Sequence, residues 1–117
     1  TLPRSIPIIE DLALRYGMER KCRSVRAADI PVLDLEEDSV AARKKIAEEA
    51  KIAVDKDRCE AIILGCAGMA DLPSSLSEEM GMPVIDGVTA GVKFIEAMIG
   101  AGFKTSKSGA YAPPRDK

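Results

Sequence analysis

The 117 residues suffice for one ordinary domain, and a composition 46% apolar and 31% charged is that of a chain able to bury a core. A formal net charge of -2 with no basic run argues against a nucleic-acid partner, and no apolar stretch approaches the roughly 20 residues needed to cross a bilayer. There is no histidine, which excludes Ser-His-Asp and Cys-His catalysis and histidine-ligated metal within these residues.

Proton transfer must then rest on Cys, Asp, Glu, Lys or Tyr. The cysteines are Cys22, Cys59 and Cys66. An odd count without a C-x-x-C spacing argues against a disulfide framework and a zinc site, and points to a reducing compartment, the cytoplasm.

Along the chain, helix and strand signals alternate. Ser5, Ile6 and Pro7 read as a helix entry, Ile9, Leu12 and Tyr16 share one helical face, and Gly17 is a stop. Residues 22–26 are predicted as a short strand, and 30–33 as a short extended piece. Asp38 or Ser39 is expected to cap the next helix, in which Ala42, Ile46, Ala50 and Ala53 recur at helical spacing. Arg43, Lys44, Lys45, Glu48, Glu49 and Lys51 cover its other side, read as a solvated face with i,i+4 pairs.

Ala61 to Leu64 is an unbroken apolar run, the pattern of a strand buried on both faces of a parallel sheet. Gly65, Cys66, Ala67 and Gly68 follow. A helix is predicted over 70–80, with Asp71 and Ser74 as its capping residues and Gly81 as its end. Residues 83–86 form a second strand, and Asp86 is expected to cap the helix after it. There Val88, Val92, Ile95 and Ile99 form one stripe, with Lys93 and Glu96 solvated. Residues 104–117 read as a polar tail. Strands alternating with helices imply an α/β fold with a mainly parallel sheet flanked by helices.

In such sheets ligands bind beyond the carboxyl ends of the strands. Cys66 stands there, between small residues that let a ligand approach the backbone, with a helix start close behind it. N–H groups and the positive end of a helix favour a thiolate and an anionic or enolate oxygen. A free cysteine is ordinarily a small apolar filler, so local sequence leaves Cys66 balanced between these readings. Cys22 and Cys59 lack such a setting and read as structural.

The segment from Ala61 to Leu72, AIILGCAGMADL, resembles the second catalytic-cysteine motif of hydantoin and allantoin racemases, in the aspartate/glutamate racemase superfamily. Residues 1–10 (TLPRSIPIIE), 83–90 (PVIDGVTA) and 105–113 (TSKSGAYAP) resemble further segments of that family, in the same order. The resemblance implies two similar α/β lobes with the active site between them, each lobe supplying one cysteine, and no cofactor or metal. It implies that Cys66 is one acid/base thiol, and that Gly65, Ala67, Gly68 and Thr1 line the substrate site. Amino-acid racemases typically follow this cysteine with threonine and histidine. Ala67 and Gly68 here favour the hydantoin/allantoin branch.

The implied substrate is a small hydantoin-like ring, with no nucleic-acid or membrane partner, in a homo-oligomer. No motif for the family's first cysteine is present. The chain begins at Thr1 without methionine and is expected to be a fragment, inactive alone. Residues 1–82 are then the second lobe, incomplete at its start, and 83–117 a strand, helix and tail packing back toward the first lobe. The alternatives are a one-cysteine enzyme resembling arylmalonate decarboxylase, and a non-catalytic small-ligand binding or assembly module.

Overall fold

A computed structural model describes residues 2–37 and 39–115. After a 3-10 turn over Pro3–Ser5 come helices α1 (Ile6–Arg15), α2 (Asp34–Glu37) and α3 (Ser39–Asp57), then strand β1 (Ile62–Leu64). A 3-10 turn at Ala67–Met69 leads to α4 (Pro73–Met80), β2 (Val84–Asp86) and α5 (Gly87–Gly100). β1 and β2 pair in parallel, with Ile62, Ile63 and Leu64 opposite Val84, Ile85 and Asp86. The arrangement is α/β, as the alternation of apolar periods implied.

The core gathers Ile30, Leu35, Ala42, Ile46, Ala47, Leu64, Met69, Leu76 and Val84. It lies between α3, α4 and one face of the sheet, because α3 turns its small residues inward. Alanines at 42, 47 and 50 let the helix approach closely, and Ile46 supplies the bulk. Leu76 has 0% exposure. The Ser77 hydroxyl accepts from the Val84 N–H at 2.9 Å, fixing the start of β2 to α4. Gly81 ends α4 in the left-handed conformation (φ 66°), which glycine adopts without strain.

Several expectations need correction. Residues 22–26 form no strand. They have no ladder partner, and side chains hold the segment instead, with Ser24 and Arg26 both donating to Asp57 at the end of α3. The 30–33 piece ends in a turn, closed by the Asp34 N–H donating to the Pro31 carbonyl at 3.2 Å. β1 is not buried on both faces, since Ile63 is 76% exposed. Ile63 and its neighbour Ile85 lie on a sheet face that the described helices leave largely open.

The ion pairs of the charged α3 face run between elements rather than along the helix. Arg43 and Lys51 both reach Glu79 of α4, at 3.0 and 2.9 Å, and Arg26 reaches Glu49 at 3.4 Å. Arg43 and Lys51 stand eight residues apart on one side of α3, and the single Glu79 carboxylate serves both cations. Asp71 and Ser74 do not cap α4. Its N-cap is Leu72, with no side-chain cap bond, and Pro73 in the first turn removes one of the N–H groups that a cap would satisfy. Asp38 lies outside the described residues.

Other expectations hold. Asp86 caps α5, its Oδ1 accepting from the Thr89 N–H at 2.7 Å, and Lys93 pairs with Glu96 on the solvated surface. Residues 104–115 run exposed, with a 3-10 turn at Gly109–Tyr111. No described helix is long and apolar enough to cross a membrane.

Candidate functional site

Both strands of a parallel pair end at the same edge, so the register of Leu64 with Asp86 brings the two strand-to-helix junctions side by side. Cys66 occupies one junction. Its backbone is extended (φ -143°, ψ 134°), and the 3-10 turn starts at the next residue. The turn closes by Met69 N–H donating to the Cys66 carbonyl at 3.0 Å, and by Ala70 N–H to Ala67 at 3.1 Å. The N–H groups of its first residues, Ala67 and Gly68, take no part in closing the turn.

Met69 anchors this turn. Its side chain is buried in the core, while Gly65, Ala67 and Gly68 are exposed. Cys66 is half-buried against the same core. The structure thus joins four of the five expected site residues, Gly65, Cys66, Ala67 and Gly68, in one turn at the carboxyl edge of the sheet. The fifth, Thr1, lies outside the described residues.

At Gly68 the absence of a side chain is a packing requirement. A Cβ there would stand 3.2 Å from Leu35 Cδ1 and 3.9 Å from Cys66 Sγ. Leu35 belongs to α2, which packs on both α3 and the turn. The sequence expectation of a short extended piece over 30–33 followed by a cap at Asp38 or Ser39 leaves no place for α2. Pro31 followed by Asp34 was the available signal, a turn residue before a helix-entry residue.

Asp86 holds the second junction. It is buried, and its carboxyl lies below the usual carboxylate range because the Thr89 backbone N–H donates to it. That bond commits the carboxylate to capping α5. Cys22 is exposed, its thiol directed at the Ser24 carbonyl at 3.6 Å, and Cys59 precedes the amino end of β1, the far end of that strand from Cys66. Among the described residues no group of three or more His, Cys, Asp or Glu side chains is placed to hold a metal ion.

Residues 1–95 match the family model described as Asp/Glu/Hydantoin racemase. The chain belongs to that family. It is 58% identical over 117 residues to a hydantoin racemase of Rhizobium meliloti, covering 100% of this chain and 48% of that protein. It is 47% identical over 116 residues to a hydantoin racemase of Pseudomonas sp. strain NS671, covering 99% of this chain and 47% of the relative. Among solved structures, an allantoin racemase from Pseudomonas fluorescens matches with a TM-score of 0.84 at 46% identity, over 100% of this chain and 50% of that one. The allantoin racemase from Klebsiella pneumoniae gives 0.88 at 44% identity, over 100% and 48%. The chain spans about half the length of the relatives it matches. These likenesses bear out the family resemblance and the α/β racemase fold read from the LGCAGM segment.

Proposed function

We propose that these residues form the second lobe of a cofactor-independent racemase of 5-substituted hydantoins or allantoin, in which Cys66 is one of two acid/base thiols. The observation that carries the reading is the place of Cys66, half-buried on a glycine-flanked turn at the carboxyl edge of a parallel sheet, in a chain of this family.

A hydantoin suits such a site. Its stereogenic carbon lies beside a ring carbonyl, so the negative charge left by proton removal spreads onto oxygen. One thiolate takes the proton from one face, and a thiol on the opposite side gives a proton to the other. The N–H groups of Ala67 and Gly68 are the donors at hand for the developing enolate oxygen. Thr1, Gly65, Ala67 and Gly68 line the substrate site in this account.

The opposing thiol belongs to a first lobe. Cys22 and Cys59 are unsuited, one engaged with a local carbonyl and the other beyond the opposite end of β1. Residues 1–82 then make up the second lobe proper, and 83–117 carry the chain back toward the first. The bare apolar stripe of α5 supports the return toward the first lobe, with Val88, Val92, Ile95 and Ile99 all exposed, while β2 stays paired with β1. A free-thiol enzyme of this kind belongs in the reducing cytoplasm, as a homo-oligomer.

The test is the decay of optical rotation of enantiopure 5-substituted hydantoins and of allantoin, incubated with the whole protein. Catalysed decay for at least one of them is expected. Rates equal to the uncatalysed background across the whole set would remove the reading.

A further inference from the structure

The segment that leads into α2 is pinned at two points. Ile30 and Leu35 are buried in the core, while residues 31–34 between them are exposed. Turn bonds of 3.2 Å close this stretch, from the Asp34 N–H to the Pro31 carbonyl and from the Leu35 N–H to the Val32 carbonyl. Leu35 carries α2 into the core, and α2 packs on both α3 and the cysteine turn.

The contact with the turn is made at Gly68. A Cβ there would stand 3.2 Å from Leu35 Cδ1, 3.9 Å from Leu35 Cβ and 3.9 Å from Cys66 Sγ. The leucine therefore lies along the glycine, in the space a side chain would take, and the thiol borders the same spot. Among the described residues no hydrogen bond holds Sγ, so packing sets its direction. Met69 anchors the turn in the core, and Leu35 is a second buried side chain that bears on it.

We propose that Leu35 is a positioning residue for Cys66: by filling the space beside Gly68 it holds the cysteine turn in the geometry from which Sγ exchanges a proton with the substrate carbon. The proposal rests on the racemase reading above. Proton transfer needs its reacting atoms about 3–3.5 Å apart, and a misplacement of about 1 Å costs on the order of 10²-fold. Gly68 has no side chain with which to pack, so the leucine supplies that restraint from outside the turn. Removing it loosens the atom that reacts and leaves the groups that bind the ring. The signature is a fall in kcat with KM little changed.

The experiment measures kcat and KM on enantiopure 5-substituted hydantoins for the whole protein and its variants, at a temperature where circular dichroism shows each one folded. Leu35→Ala empties the space and is expected to lower kcat about tenfold or more, with KM within about twofold. Leu35→Met refills it with a flexible side chain of similar volume and is expected to keep kcat within about twofold. Ile46→Ala opens the same core from α3 and is expected to leave kcat per folded molecule unchanged. If Leu35→Ala does not fold, Leu35→Val takes its place, with an expected loss of at least about threefold in kcat. Full kcat in the shortened Leu35 variant, or an equal loss in Ile46→Ala, would overturn this inference and leave the racemase reading standing. No turnover of any hydantoin or of allantoin by the unaltered protein would overturn both.

Discussion

Gly68 shows how a single hydrogen atom sets the shape of the cysteine turn. Replacing it with alanine places a methyl group 3.2 Å from Leu35 Cδ1, so the leucine must give way by a few tenths of an ångström. Gly68→Ala should cost about 1 kcal/mol in stability, at the low end of overpacking effects. The clash disappears when Leu35 is shortened, so in a double-mutant cycle with Leu35→Ala the two losses should be non-additive by at least about 0.5 kcal/mol. Simple additivity in denaturant titrations would show that the two residues do not press on each other.

The carboxylates give a second prediction at this scale. Asp86 is held below the ordinary range by the Thr89 N–H, and Asp57 is lowered to about 2 by hydrogen bonds from Arg26 and Ser24. A group whose carboxyl titrates lower in the folded than in the unfolded state contributes stability above its unfolded value, and loses it as the pH falls through the folded one. Stability should therefore decline from about pH 4 toward pH 2. Asp86→Asn keeps a capping side chain but removes one titrating group, so its acid limb should be shallower. An acid limb identical to that of the unaltered protein would contradict the assignment.

Among the elements, those with a helical period or a compact end signal were legible. The spacing of Ala42, Ile46 and Ala50 located α3, and all three are buried. Gly17 and Gly81 marked helix ends through their positive φ, and Asp86 announced α5. The cysteine turn was legible because a glycine-flanked cysteine after an apolar run is a compact local signal. What failed depended on neighbours that the sequence does not print. A strand over 22–26 needs a ladder partner, and a buried face at Ile63 needs a helix above it. Helix α2 is only four residues long and carries no period to detect. Leu76 is the centre of what does pack, with no exposed surface. Leu76→Ala should cost about 2–5 kcal/mol, seen as a lowered denaturation midpoint without a change in slope. A loss well under 1 kcal/mol would mean that α4 does not close this core.

At the scale of the whole molecule, the chain is more extended and more exposed than its length requires. Its radius of gyration is 17.7 Å, against about 13 Å for a compact domain of this size. Its accessible surface is 9206 Å², against about 6,200 Å² for a compact protein of this mass. The excess of roughly 3,000 Å² is the scale of a large, permanent interface. Large apolar side chains are exposed along α1, on the Ile63–Ile85 sheet face and along α5, where the described residues leave them uncovered. A chain about half as long as its relatives, with an uncovered face of this size, fits the account of one lobe that requires another. The cysteine turn sits at the carboxyl edge of the sheet, where the first lobe of the proposed enzyme would close over it.

The central claim is that Cys66 exchanges a proton with the substrate carbon. It is tested most directly by following deuterium uptake from solvent at the ring carbon of an enantiopure 5-substituted hydantoin, chosen for slow spontaneous exchange, with the whole protein and with its Cys66→Ser variant. The account predicts rapid uptake accompanied by racemisation in the unaltered protein. It predicts a loss of about 10²–10⁴-fold in both when the thiol is replaced, the usual contribution of a positioned acid or base. A folded Cys66→Ser protein that exchanges and racemises as fast as the unaltered one would contradict it.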